Sequence, residues 1–368
     1  MDTDIKKKEK YLINIPIVAI LFLKIIFTSL FQNLFSTNIV SDLKLIFPII
    51  FLALYFFSFL LWPTCKVELY FFIFIAFICL LSRKSYIITV FSLVLLFSRL
   101  QLIDIINDYK FATILGILVT SISSLLGIIS LHGITGNGSS VLTFGFANEN
   151  TFGFFITFLA ILFLLKYDGS FYVSFNLINT LFFFFVFFIN IFSLEDNTTA
   201  VVMIIFLLAS KIKLKINNLT EILVGIVPPL LLWLSFFFAL NYNRYYFIQE
   251  LNRIITNRFI IWNYYLNHFS FNLFGNNINF GLVNFFGGAF DGSYIYYTLN
   301  YGIVIMFIWT LGLMFANILL LRYKNQAILA ILLAFEVYAF TENLPFDYQS
   351  FVILIAMLSW MPGYLSNS

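Results

Sequence analysis

Residues 252–275 read NRIITNRFIIWNYYLNHFSFNLFG, from Asn252 to Gly275. This block packs two arginines, one of the chain's two histidines, several asparagines and aromatics into one amphipathic run. It sits inside a polar break from Asn241 to Gly292, and the sequence around it is almost wholly apolar. Hydrophobic residues make up 62% of the 368 positions and charged residues 10%. Mean hydropathy is +0.99. Soluble domains carry about 25% charged residues, so the contrast predicts an all-α polytopic integral membrane protein with one long external loop, 241–292, carrying amphipathic helices. Loops held on a scaffold carry function more often than the scaffold does, so chemistry is expected to centre on this loop.

A helical span needs roughly 20 apolar residues. Apolar runs predict about twelve spans, at 12–31, 44–62, 67–82, 85–101, 111–131, 151–166, 171–193, 199–210, 219–240, 293–321, 327–340 and 350–363. They form a single integral domain, 1–368, with tight hairpins near Arg83–Lys84 and Tyr323–Gln326. MDTDIKKKEK followed by an apolar run reads as a cytoplasmic start into a retained first span. The 51 phenylalanines accompany abundant Ile, Asn, Lys and Tyr, a codon-usage signature rather than an aromatic site. Cys65 and Cys79 have no metal-ligand spacing.

Lys and Arg in short loops orient a membrane protein. With both termini inside, the cytoplasmic turns hold Lys66, Lys110, Lys166, Lys211, Lys213, Lys215, Arg322 and Lys324, and the Arg83–Lys84 pair dissents. The outer face then receives 132–150, 194–198, 241–292 and 341–349. Those segments carry Glu149, Glu195, Asp196, Glu250, Asp291, Glu342 and Asp347, as an external active site requires.

On a helical wheel, Leu251, Ile254, Ile255 and Trp262 line one stripe, and Gln249, Asn252, Arg253, Thr256, Asn263 and Asn267 lie opposite. Arg253 falls on the wet face as a solvated or headgroup contact. Arg258 falls within the apolar stripe, where a guanidinium needs a partner to offset desolvation. Two readings stand: a structural pairing with a carboxylate or loop carbonyls, or a fork that grips phosphate. His268, at the end of this block, is read as a structural hydrogen-bonder or a base. Asp291 or Ser293 serves either as the N-cap of a span or in a site, and so does Asn148 or Asn150. Glu336 lies within an apolar run near a polar cleft, and Glu342 at the outer mouth is the better site candidate. No Walker loop, GxGxxG, HExxH or Cys/His cluster is present. The reading therefore expects no metal, no cofactor and no nucleic-acid partner, and an activated substrate if there is chemistry.

Four pieces of sequence, in order, carry a resemblance: Gly145-Phe146-Ala147-Asn148-Glu149-Asn150; Leu251-Asn252 through Arg258 with Leu273-Phe274-Gly275; Asp291-Gly292-Ser293-Tyr294 with Tyr301-Gly302; and Thr341-Glu342-Asn343. From about Phe111 onward the chain resembles the Wzy-type polysaccharide polymerases of capsule, exopolysaccharide and O-antigen synthesis, in their Gram-positive branch, related to the O-antigen ligases. It departs from that pattern in having Glu149 where proline is usual, and in lacking an arginine in the turn Asp196-Asn197-Thr198-Thr199. The resemblance implies glycan transfer from undecaprenyl pyrophosphate onto a lipid-linked acceptor repeat unit, at the outer face of the bacterial cytoplasmic membrane. Polysaccharide export and chain-length proteins are implied partners. It implies Arg258, Asp291 and Glu342 as catalytic residues, with Arg253, Asn150, Glu149, His268 and Tyr294 binding substrate. Transfer to another acceptor, as by a ligase, and flipping of lipid-linked oligosaccharide are the alternatives.

Overall fold

The structure is a computed structural model that describes residues 2–34, 84–98, 100–134, 140–194, 196–255, 257–278, 290–348 and 350–360, with isolated positions between residues 46 and 77. The spans expected at 44–62 and 67–82 fall largely outside the described residues. So do Cys65, Cys79, Arg83, Glu195, Thr256, Gly287–Ala289 and residues 361–363.

Numbered among the described residues, the helices are α1 (Asp2–Phe27), α2 (Ser85–Phe97), α3 (Leu102–Leu125), α4 (Glu149–Leu164), α5 (Leu177–Phe192), α6 (Asn197–Lys211), α7 (Asn218–Gly225), α8 (Val227–Asn241), α9 (Tyr246–Ile254), α10 (Arg258–His268), α11 (Ser293–Tyr301), α12 (Ile303–Arg322), α13 (Gln326–Thr341) and α14 (Val352–Leu358). Two antiparallel hairpins interrupt them: β1 (His132–Ile134) with β2 (Ser140–Leu142), and β3 (Leu165–Tyr167) with β4 (Phe171–Val173). The fold is thus mainly helical, as expected. Among the described residues, two helices are long and apolar enough to cross a membrane, Asn218–Asn241 (α7 with α8) and Ile303–Arg322, and six shorter apolar helices accompany them.

Local chemistry sets many of the boundaries. Asn148, Asn176, Asp196 and Asn217 each accept a hydrogen bond from the backbone N–H three residues on, starting α4, α5, α6 and α7. Such caps contribute about 1 kcal/mol each. The cap of α4 is therefore Asn148, which leaves Asn150 for other work. The run 171–193 begins as strand β4 before α5, and 111–131 belongs to a helix that already starts at Leu102. The expected span 293–321 is two helices, broken at Gly302 (φ 101). A Cβ there would strike the Leu273 carbonyl. Leu273 and Asn272 instead lie against the break, their carbonyls accepting from the N–H groups of Val304 (3.3 Å) and Ile303 (3.1 Å). The Leu273–Gly275 and Tyr301–Gly302 pieces therefore meet backbone to backbone.

Between α7 and α8, Pro228 lacks the N–H that would bond Val224 four residues earlier. The Nδ2 of Asn317 on α12 donates to that carbonyl at 3.1 Å, and to both carboxyl oxygens of Glu336 on α13 (2.9 and 3.1 Å). Glu336 is fully buried.

The main core joins α1 to α3, α4 to α5 and α6, α6 to α13, and α12 to α7, α8, α11, α13 and α14. A smaller core of Phe259, Trp262, Tyr265, Phe290, Ile295 and Leu299 seats α10 on the ends of α8 and α11. That second core fixes the loop's arginine.

Candidate active site

Asn257 adopts the left-handed conformation (φ 63) between α9 and α10, a place where asparagine is tolerated. The turn is locked by Asn252, whose Oδ1 accepts from the N–H of Phe259 (2.8 Å) and Ile260 (3.2 Å) while its Nδ2 donates to Asn257 Oδ1 (3.1 Å). Asn252 is thus buried, not wet, and Leu251 is exposed. The wheel fails here because α9 and α10 are not one continuous helix, and the break rotates their faces. Arg258 still turns inward.

Its guanidinium is held on three sides. Nε donates to Thr341 O at 2.7 Å, one terminal nitrogen to Ile255 O at 3.1 Å, and the other forms a short ion pair with Glu342 Oε1. Asp291 Oδ2 lies 4.0 Å from that same nitrogen, longer than a hydrogen bond. Asn150 on α4 donates its Nδ2 to Glu342 Oε1 at 3.0 Å. The Glu342 carbonyl accepts from the Oγ (2.5 Å) and N–H (3.2 Å) of Ser293. Asp291 is positioned through its backbone, by Trp262 Nε1 donating to its carbonyl at 2.5 Å and by Asn343 Nδ2 donating to the neighbouring Phe290 carbonyl at 2.7 Å. Gly292 (φ 96) lets Trp262 come this close, since a Cβ would strike the indole. Neither Asp291 nor Ser293 caps α11 through its side chain; Gly292 holds the cap position.

Four segments far apart in sequence therefore converge: 149–150, 257–262, 290–293 and 341–343. Asp196, at the start of α6, joins from a further side. Its Oδ2 packs against Gly153, one turn along α4 from Asn150, where a Cβ would collide with it. Sequence reasoning counted Asp196 among the outer acids and assigned it no role.

One guanidinium thus faces the buried carboxyls of Glu342 and Asp196 and the half-buried carboxyl of Asp291. Burial drives the Glu342 carboxyl well above the usual range, against the pull of Arg258. Burial likewise raises Asp291, again opposed by Arg258, and it lifts Asp196 to about 6. Burial disfavours the charge on Arg258, but Glu342, Asp291 and Asp196 outweigh that and hold it firmly protonated. The carboxyls share one cation and titrate as a set.

The other expected site residues lie elsewhere. Arg253 is exposed and pairs with Glu250 at 3.1 Å on the outer side of α9. His268 lies ten residues along α10 from Arg258, about 15 Å away. It is exposed, its Nδ1 2.8 Å from Tyr264 O and its ring stacked on that tyrosine. Tyr294 is fully buried, its hydroxyl directed at Glu336 O (3.5 Å). Arg253 keeps the wet face that the wheel gives it; the binding roles of all three rest on the resemblance, which does not decide which way a helix faces. Glu149, in the first turn of α4, adds negative charge that Asp196 and Asp291 both sense.

Lys84, half of the charge pair that dissents from the orientation pattern, docks the loop. Its Nζ donates to Asn276 O (2.9 Å), Asn277 Oδ1 (3.1 Å) and Asn300 Oδ1 (3.2 Å). No family model, curated protein or solved structure matches this chain.

Proposed function

We propose that the chain is a polytopic enzyme of the bacterial cytoplasmic membrane that polymerises lipid-linked oligosaccharide repeat units, in the manner of the Wzy-type polymerases it resembles. The observation that carries this reading is the buried Arg258–Glu342–Asp291 cluster, built where the long loop meets the ends of α4, α11 and α13. In the reaction, an acceptor sugar hydroxyl attacks the anomeric carbon of the donor glycan. The bond from that carbon to the pyrophosphate oxygen breaks, undecaprenyl pyrophosphate departs with the electron pair, and the hydroxyl proton passes to a carboxylate.

Asp291 is the carboxylate that faces substrate. Its side chain is 22% exposed against 4% for Glu342, and it stands outside the direct ion pair. A raised carboxyl pKa suits a general base working near neutral pH. Glu342 and Asn150 act through Arg258 and fix its orientation. The departing diphosphate approaches the guanidinium on the Asp291 edge, where the 4.0 Å gap leaves the weakest existing contact. Charge held at such a point stabilises the leaving group without reorganisation. Repeat units carried on undecaprenyl pyrophosphate are already activated, so no nucleotide enters.

The test is the size distribution of surface polysaccharide in a deletion strain complemented with wild-type or Arg258→Ala chain. The reading expects Arg258→Ala to leave single repeat units on lipid, and normal chain lengths would overturn it. Transfer to a different acceptor, as by a ligase, would appear as unaltered polymer that fails to reach its final attachment.

A further inference from the structure

At the opposite end of the bundle from Arg258, α6 ends at Lys211 and the chain leading to α7 continues Ile212-Lys213-Leu214-Lys215, with extended backbone at Ile212. Here Ile212 and Leu214 turn into a cavity of about 170 Å³, completed by Ala209, Leu223, Val224 and Leu333 among others, and lined by a single polar side chain, Gln326. That amide is already occupied, donating to Leu214 O at 3.1 Å. Ile212 and Leu223 are more than half exposed, so the cavity opens sideways onto the surface that a bilayer would cover. The proline-forced junction between α7 and α8 forms its wall at Val224 and Val227. A cavity of comparable size, about 150 Å³, binds benzene when lined with apolar side chains, so this one admits the end of a single hydrocarbon chain.

Beside the cavity, Lys211, Lys213 and Lys215 are all exposed. Lys211 lies over the Phe175 ring at 4.0 Å. Neither Lys213 nor Lys215 pairs with a carboxylate among the described residues. The nearby acid, Glu221, is already taken by Arg322 at 2.6 Å. The general bias of one membrane face toward basic residues accounts for lysines at this end. It does not account for an apolar cavity set directly behind them.

We propose that this groove binds one anionic phospholipid, with its phosphate on Lys213 and Lys215 and the end of one acyl chain in the cavity. The proposal rests on the bilayer reading above but not on polymerase activity. Charge complementarity selects the headgroup, and the cavity's shape and lining select a chain-bearing ligand over a free anion.

The full chain, purified in detergent, is offered phosphatidylglycerol or phosphatidylcholine with identical acyl chains, and retained lipid is counted by native mass spectrometry. Wild type should retain phosphatidylglycerol preferentially, by roughly fivefold for each lysine engaged. The paired change Lys213→Gln with Lys215→Gln, on exposed positions that leave the fold intact, should bring the two lipids to parity. Ala209→Phe, filling the cavity, should reduce retention of both. Equal retention by wild type would overturn the proposal, as would an unchanged preference in the double lysine variant. Displacement by glycerol phosphate alone would show a headgroup-only anion site and would also overturn it. If the chain needs no detergent to stay in solution, the bilayer reading itself fails. If it needs detergent and shows no lipid preference, only this inference fails.

Discussion

Helix α13 carries two buried glutamates six residues apart, about 9 Å along the axis, and they live in different chemical worlds. Glu336 is packed inside the bundle, and the amide of Asn317 is the partner of both its oxygens among the described residues. Glu342, where α13 ends, meets a guanidinium, the amide of Asn150 and a second carboxyl across the same cation. The first surround is neutral, and its amide also repairs the carbonyl that Pro228 leaves unbonded; a glutamine would serve there as well. The second depends on charge, because removing either partner strands the other. Burial alone therefore does not distinguish the two; the shared cation at a junction of loops does.

The comparison breaks most sharply at Arg258. Arg258→Ala leaves Glu342 buried without its cation, which costs about 3–5 kcal/mol. Thermal unfolding in detergent should fall accordingly, together with the loss of polymer. A variant as stable as wild type would show that the ion pair is not holding the junction.

A smaller effect tests the charge set through pH. Asp196 titrates at about 6 in the fold, raised from the ordinary aspartate value of 3.8. A raised native value means that its stabilising protonation is complete below the lower figure and lost as pH rises through the upper one. The shift corresponds to at most about 3 kcal/mol. Asp196→Asn keeps a good helix cap, so it should be more stable than wild type above about pH 7, and the gap should close by about pH 4. A gap independent of pH would remove Asp196 from the titrating set.

On the neutral side, Asn317→Leu leaves the Val224 carbonyl and Glu336 unsatisfied, a loss of about 1–3 kcal/mol. Thermal unfolding should register it. The smallest effect belongs to Lys84→Met. It should loosen the loop by about 1 kcal/mol, the value of a typical hydrogen bond, seen as faster proteolytic nicking between Asn257 and Gly292.

Much of this contrast was legible in the sequence, though unevenly. The apolar stripe turned Arg258 inward because its position relies on only a few neighbouring residues. The same wheel misplaced Asn252 and Leu251, since it assumed a regular helix across Asn257, whose positive φ interrupts it. Helix starts at Asn148, Asn176, Asp196 and Asn217 follow from side chains that bond three residues ahead, a purely local rule. The partner of Arg258 lies 84 residues away, and no periodicity encodes a contact of that range. Asp196 was missed for the same reason, its link to the cluster running through Gly153 of another helix. Residues 293–321 read as one span because hydropathy does not register the glycine at 302, where backbone from the loop fills the space of a side chain.

The central claim is that Glu342, and not its neighbour Glu336, belongs to the working site. Purified protein given undecaprenyl-pyrophosphate-linked repeat units tests it most directly, with product length compared between Glu342→Gln and Glu336→Gln. Single repeat units from the first variant and wild-type chain lengths from the second are the predicted result. Full-length product from Glu342→Gln would contradict the account.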